Sequence, residues 1–353
     1  MTTSSAQAPR RILVVRLSAI GDIVMASGLI PALRARYPQA EISWICEAGC
    51  APLLKHNPTL KDVIVWPRGE WEALKKAKRW GELWRAVRGF KAMLRAREFD
   101  LVLDGQGLLK SGLMAWFTGA PRRVSIIARE GSHLLAHEVV TPPATDRPVI
   151  GSEYRFLAHH LGAPEGSFQL NLAVGDAPLA RARSAVAAAS APLVALCPFT
   201  TRPQKHWVES HWAELAQALC KRGFQPVLLG GPADVAAAGR IAEAAPGLLN
   251  LVGQLKLDET VAAISLCQRL IGVDTGLTHM GTALKVPTLA LFGSTRPYLQ
   301  GQAPTTHVLY DAMACSPCRR NPTCDGRFDC MKQFTVQRVL DAALALPQPE
   351  AAA

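Results

Sequence analysis

The 353-residue chain is 49% hydrophobic and 19% charged, which excludes a disordered polymer and exceeds one ordinary core, so two packed α/β domains are expected. No apolar run reaches the roughly 18 residues of a membrane span, and the polar start MTTSSAQAPRR has no leader-like apolar core, which points to the cytoplasm. The net charge of +11 sits mainly in residues 1–170, where 23 Lys and Arg face 15 Asp and Glu, against 16 and 13 in residues 171–353; a negatively charged partner fits this balance.

Residues 11–16 read as a strand, followed by the loop Leu17-Ser18-Ala19-Ile20-Gly21-Asp22 and a helix to about residue 37 with Val24, Leu29 and Leu33 among its apolar positions. A strand at 41–45, a helix around 51–56 and a strand at 63–66 come next. Residues 71–97 carry nine basic and two acidic side chains, with Leu83, Trp84, Val87, Phe90 and Leu94 at helical spacing. Such a helix either lies on an acidic membrane or packs on its own domain with its charges solvated. A strand at 100–103 then runs into Asp104-Gly105-Gln106-Gly107 and another helix. Residues 163–191, rich in Ala, Gly and Pro, have the composition of a linker plus a first helix.

The second half repeats the pattern, with strands at 193–197, 226–229, about 249–252 and 270–273, and helices at 209–222 and 235–244. Strands alternating with helices indicate parallel sheets covered on both faces. Two such doubly wound domains would turn the loops at their strand ends toward a shared cleft.

Four places carry chemistry. Asp22 follows the first strand and begins a helix; it serves there either as a first-turn acid favoured by the helix dipole or as a base for a bound hydroxyl. After the strand at 193–197 comes CPFTTRPQKHW, where Thr200, Thr201 and Lys205 suit phosphate oxygens, while Trp207 and Trp212 read as packing residues. The stretch RLIGVDTGLTHMGTALKVPTLALFG is a strand-turn-helix-strand unit with Asp274, Thr275, Gly276 and His279 at the start of its helix. It is either an ordinary capped helix or an anion site. No Walker loop occurs, and no G-x-G-x-x-G follows the first strand, which disfavours dinucleotide redox chemistry. Of the nine cysteines, Cys46, Cys50, Cys197, Cys220 and Cys267 read as small core residues. The other four form C-x2-C-x5-C-x5-C at Cys315, Cys318, Cys324 and Cys330.

LSAIGD, DGQGLLKS at 104–111, PFTTRPQKHW, LLGGPAD and VDTGLTHMGTAL, in that order, resemble glycosyltransferase family 9, over nearly the whole chain. Within it, the VDTGLTH form is similar to the heptosyltransferase I branch. The resemblance implies a GT-B fold of two Rossmann-like domains. Residues 11–170 would bind the acceptor, and 171–346, with a Cys-rich loop at 313–331, the ADP-sugar; the tails 1–10 and 347–353 would be disordered. It implies Asp22 as the general base of an inverting displacement. Thr200, Thr201, Lys205, Asp234, Asp274, Thr275, Gly276 and His279 would hold the ADP-heptose donor. Ser18, Gly21, Arg68, Lys110 and Arg129 would meet a Kdo-lipid A acceptor at the cytoplasmic face of the inner membrane.

No catalytic metal is implied. The four-cysteine loop departs from the heptosyltransferase I pattern; its thiols either hold a structural zinc or iron or are free or disulfide-paired. Rival readings are transfer to the second core heptose or to a protein, and a nucleotide-sugar epimerase of the same fold. Nucleic-acid binding is disfavoured, because the basic residues form no recognisable module of that kind.

Overall fold

The computed structural model describes residues 8–143, 149–295, 298, 305–318 and 321–347. Most of the two tails expected to be disordered, residues 1–7 and 348–353, lie outside the described residues, as do 319 and 320 of the Cys-rich loop. Contacts divide the chain into unit 1, Met1–Thr145 with Gly151–Asn171, and unit 2, Asp146–Ile150 with Leu172–Ala353.

Unit 1 holds β1 (Arg11–Val15), β2 (Glu41–Glu47), β3 (Leu60–Trp66), β4 (Leu101–Asp104), β5 (Arg122–Ile126) and β6 (Glu138–Val140). Their order in the sheet is β3-β2-β1-β4-β5-β6, with every neighbour parallel. Unit 2 holds β7 (Leu193–Cys197), β8 (Gln225–Leu228), β9 (Leu249–Asn250), β10 (Arg269–Val273), β11 (Thr288–Phe292) and β12 (Thr306–Tyr310). Its sheet runs β12-β11-β10-β7-β8-β9, again all parallel. Counted within its own unit, the second order is the first reversed. Both are the doubly wound Rossmann arrangement expected for GT-B, with the strand order turning back between β1 and β4 and between β7 and β10. Loops after these four strands are where such sheets bind ligands.

β7, β10 and β11 are buried at every position, so they read as unbroken apolar runs rather than alternating ones. Helix packing on β10 is unusually close. A Cβ on Gly272 would stand 2.2 Å from Thr278 Oγ1 and 3.0 Å from Cys197 Cβ, and the Thr278 hydroxyl is already committed to Val273 O at 2.6 Å. Gly272→Ala is therefore expected to destabilise unit 2 by about 1–3 kcal/mol, the usual cost of overpacking, seen as a lowered thermal midpoint.

The expected helix to residue 37 is two helices, Ile20–Ala26 and Leu29–Arg36. The break has a tertiary cause. Ser27 Oγ donates to Val24 O and accepts the amide of Asn171, and a Cβ on Gly28 would meet the Phe168 ring at 2.6 Å. Residues 51–56 contain a single 3-10 turn, Ala51–Leu53. The basic segment is also two helices, Arg68–Lys76 and Trp80–Arg95, parted where Lys78 takes a φ of 55°. Val87, Phe90 and Leu94 pack on the unit 1 core as the stripe requires, but Trp84 leaves it and is 59% exposed. Cys46, Cys50, Cys197 and Cys267 are buried, whereas Cys220 is half-buried. Trp207 and Trp212 are buried and meet edge to face at 5.0 Å; Trp207 Nε1 donates to Phe334 O, tying the C-terminal segment to the core.

Candidate active site

In unit 2 the loops after β7 and β10 are neighbours because their strands pair, and all the expected donor positions except Asp234 lie on them or at the start of the helix Gly276–Ala283 that follows β10. Lys205 closes a 3-10 turn, Pro203–Lys205, and its Nζ stands 2.5 Å from Asp274 Oδ2. The same carboxylate accepts the Thr295 hydroxyl at 2.7 Å and lies 3.5 Å from His279 Nε2. His279 Nδ1 in turn meets the Tyr298 hydroxyl at 3.0 Å. Thr200 Oγ1 donates to Asp274 O at 3.5 Å, and His206 Nε2 meets Thr200 O at 2.8 Å.

Burial by itself would raise the pKa of Asp274, but His279 and Lys205 outweigh it and hold the carboxyl well below the usual carboxylate range. Burial, with Asp274 adding to it, pushes the Tyr298 phenol well above its ordinary value. Asp274 is thus a fixed anion that aims Lys205 and steadies His279.

Thr275 occupies the N-cap of the helix Gly276–Ala283 in extended conformation, with no side-chain capping bond. The first amides of a helix have no intrahelical partner, and a helix start of this kind can donate to phosphate oxygens. Thr201 is exposed at the mouth of its loop. His279 is buried between Asp274 and Tyr298. Asp234 stands apart after β8, where its Oδ2 accepts the Gly231 amide at 2.8 Å and closes a short turn.

In unit 1 the loops after β1 and β4 are joined by the Leu17 amide donating to Gln106 Oε1 at 3.0 Å. Asp22 sits in the first turn of Ile20–Ala26, with Oδ2 accepting the Ala19 amide at 3.3 Å and paired at 2.5 Å with Arg16 Nη2. The Arg16 side chain is 9% exposed and that of Asp22 38%, so a buried cation anchors a carboxylate that solvent or substrate can reach. Ser18 and Gly21 flank it, half-buried. Arg68 Nη1 and Lys110 Nζ, distant in sequence, both reach Glu47 Oε1, at 3.0 and 3.3 Å. Arg129 is exposed, and its amide donates to Gly107 O at 2.8 Å.

The sequence reading omitted Arg16, Glu47, Thr295 and Tyr298. Arg16 and Glu47 had a signal, each being a charge that ends an apolar strand; Arg16 finds its partner Asp22 six residues on, whereas those of Glu47 follow other strands. The polar run after β11 is the corresponding signal for Thr295 and Tyr298.

The thiols of Cys315, Cys318, Cys324 and Cys330 line one pocket together with Gln204 and Ser294. Cys318 Sγ lies 3.8 Å from Ser294 O, and the buried Ser294 hydroxyl has no hydrogen-bond partner among the described residues. Among the described residues, no group of three or more His, Cys, Asp or Glu side chains is set to hold a metal ion.

The sequence profile described as glycosyltransferase family 9 (heptosyltransferase) matches residues 87–327. Lipopolysaccharide heptosyltransferase 1 of Pseudomonas aeruginosa is 31% identical, with 96% of this chain and 99% of that protein aligned. Lipopolysaccharide heptosyltransferase 2 of Escherichia coli is 29% identical over 95% of this chain and 98% of its own length. The solved structure of the E. coli ADP-heptose lipopolysaccharide heptosyltransferase II is similar at a TM-score of 0.77 and 28% identity, covering 95% of this chain and 98% of the other.

Proposed function

The chain belongs to glycosyltransferase family 9, and on that premise we propose that it moves L-glycero-D-manno-heptose from ADP-heptose onto the Kdo region of Kdo2-lipid A, with inversion. That it is a glycosyltransferase, a heptosyltransferase of the lipopolysaccharide core, follows from the family and from full-length relatives of both heptosyltransferase kinds. The Kdo acceptor is our own reading. It draws on the VDTGLTH form and on the cationic excess of residues 1–170, which suits an acceptor carrying carboxylates and phosphates.

The observation that carries the donor assignment is the Lys205–Asp274 pair at the uncapped start of Gly276–Ala283. In the reaction, Asp22 takes the proton of the acceptor hydroxyl as its oxygen attacks the anomeric carbon. The bond from that carbon to the diphosphate oxygen breaks, and ADP leaves with the electron pair. Lys205, the amides after Thr275 and the hydroxyls of Thr200 and Thr201 stabilise the charge that develops; Asp234 serves the nucleoside end. Ser18, Gly21, Arg68, Lys110 and Arg129 form the acceptor side. No catalytic metal takes part, since these residues supply the positive charge.

The chemistry of four thiols on one pocket fits a closed tetrahedral zinc or iron site, which would draw the ligands together on binding and shape the loop without touching substrate. Metal analysis of the purified protein, expected at about one equivalent in wild type and lost in Cys318→Ser, tests that part of the reading.

The decisive experiment incubates ADP-heptose with Kdo2-lipid A and weighs the products. ADP and a singly heptosylated lipid are expected. Transfer only to an already heptosylated core, or to protein, sinks the acceptor assignment. Conversion of the sugar nucleotide with no acceptor present would instead make the chain an epimerase.

A further inference from the structure

Among the described residues, eight of the nine exposed large apolar side chains belong to unit 1, the unit that also carries most of the net positive charge. The densest group lies on the helices Trp80–Arg95 and Leu109–Phe117. Trp80 is 57% exposed, Trp84 59% and Trp116 40%, and Leu109, two turns before Trp116, is also exposed. At 3.6 residues per turn, Trp80, Trp84, Arg88 and Lys91 fall within about 80° of arc. This strip flanks the buried stripe of Val87, Phe90 and Leu94. The Arg88 guanidinium lies over the Trp84 ring at 4.3 Å, and the Lys91 ammonium over the Trp116 ring at 4.2 Å, which joins the two helices into one surface. Neither cation forms an ion pair with a carboxylate among the described residues, in contrast to Arg68, Arg79 and Arg97 nearby.

We propose that this surface docks on a bilayer containing acidic phospholipid. Indole rings beside unpaired cations match the boundary between headgroups and acyl chains, where the ring is half immersed and the cation meets phosphate. A patch built only for solubility would place the cations without the tryptophans. No helix of the described residues is long and apolar enough to cross a membrane. The functional reading above supplies the reason for docking, a lipid-linked acceptor, but the surface is argued from exposure and charge alone.

The test measures partition of the full chain onto phosphatidylglycerol-containing vesicles and onto neutral phosphatidylcholine vesicles. Wild type is expected to favour the acidic vesicles, less so at high salt. The double variant Arg88→Gln/Lys91→Gln should lose about fivefold per removed charge. Trp80→Ala/Trp84→Ala should weaken binding to both lipids and reduce quenching by brominated acyl chains to the share contributed by Trp116. Thermal unfolding and transfer to a de-acylated, water-soluble Kdo acceptor should be unchanged in both variants. Equal partition onto the two lipids, variants that bind like wild type, or self-association through these tryptophans without vesicle binding would each overturn the proposal. If the soluble acceptor is never heptosylated, the functional reading falls, and the partition data still decide the surface.

Discussion

Asp22→Asn is expected to slow heptosyl transfer by about 10²–10⁴-fold, the usual worth of a positioned general base, while ADP-heptose affinity stays within about twofold because the donor contacts lie elsewhere in the chain. Asp22 Oδ2 is fixed by the buried Arg16 guanidinium and the Ala19 amide, and the side chain retains enough exposure to meet a hydroxyl. Asn keeps the shape and removes the proton acceptor. It also leaves the Arg16 charge less well partnered, so a modest fall in thermal stability should accompany the variant. Stability loss alone would lower the amount of active enzyme and leave the turnover of the folded fraction unchanged, whereas a lost base lowers that turnover. A variant that keeps wild-type turnover refutes the assignment.

The division of labour between strand ends and loops explains what could be read from the chain. β7, β10 and β11 were legible because central parallel strands are apolar throughout, and their following loops announced Thr200, Lys205 and Asp274 by residue type. β6, with three residues, and the edge strand β12 carry too little pattern to stand out. Helix ends failed where a distant segment set them, as Phe168 does at Gly28. Pairings failed for the same reason. Arg68 and Lys110 read as independent cations, yet they share Glu47 because β2, β3 and β4 deliver them to one edge of the unit 1 site. Trp84 shows the limit of periodicity: its spacing fits the apolar stripe, but its position at the margin leaves it facing out beside Arg88. Residue type and position marked Asp274 as a candidate but not its partner, since Lys205 is far away in sequence and adjacent only through the β7–β10 pairing.

That pairing makes Lys205→Met the second large effect. Removing one preorganised donor from a diphosphate site costs about 10²–10³-fold in turnover, and if Lys205 holds the diphosphate as proposed, ADP affinity falls as well. The same change leaves Asp274 buried without its lysine. The side chains are 18% and 15% exposed, so breaking the pair is expected to cost about 3 kcal/mol of stability, the low end for buried pairs. The pH dependence has a definite sign. Asp274 titrates below its unfolded value in the folded protein, so its contribution is fully present above about pH 4 and disappears only as the solution becomes more acid than that. In Lys205→Met the folded value rises, because burial is then no longer opposed by the lysine. The stability gap between wild type and variant should therefore be widest at neutral pH and should narrow on acidification as Asp274 takes up a proton. Lys205→Met/Asp274→Asn separates the two roles, since contacting residues are not additive. The double variant should regain stability relative to Lys205→Met and regain no turnover. If turnover returns with stability, Lys205 acts by holding the fold and not the diphosphate.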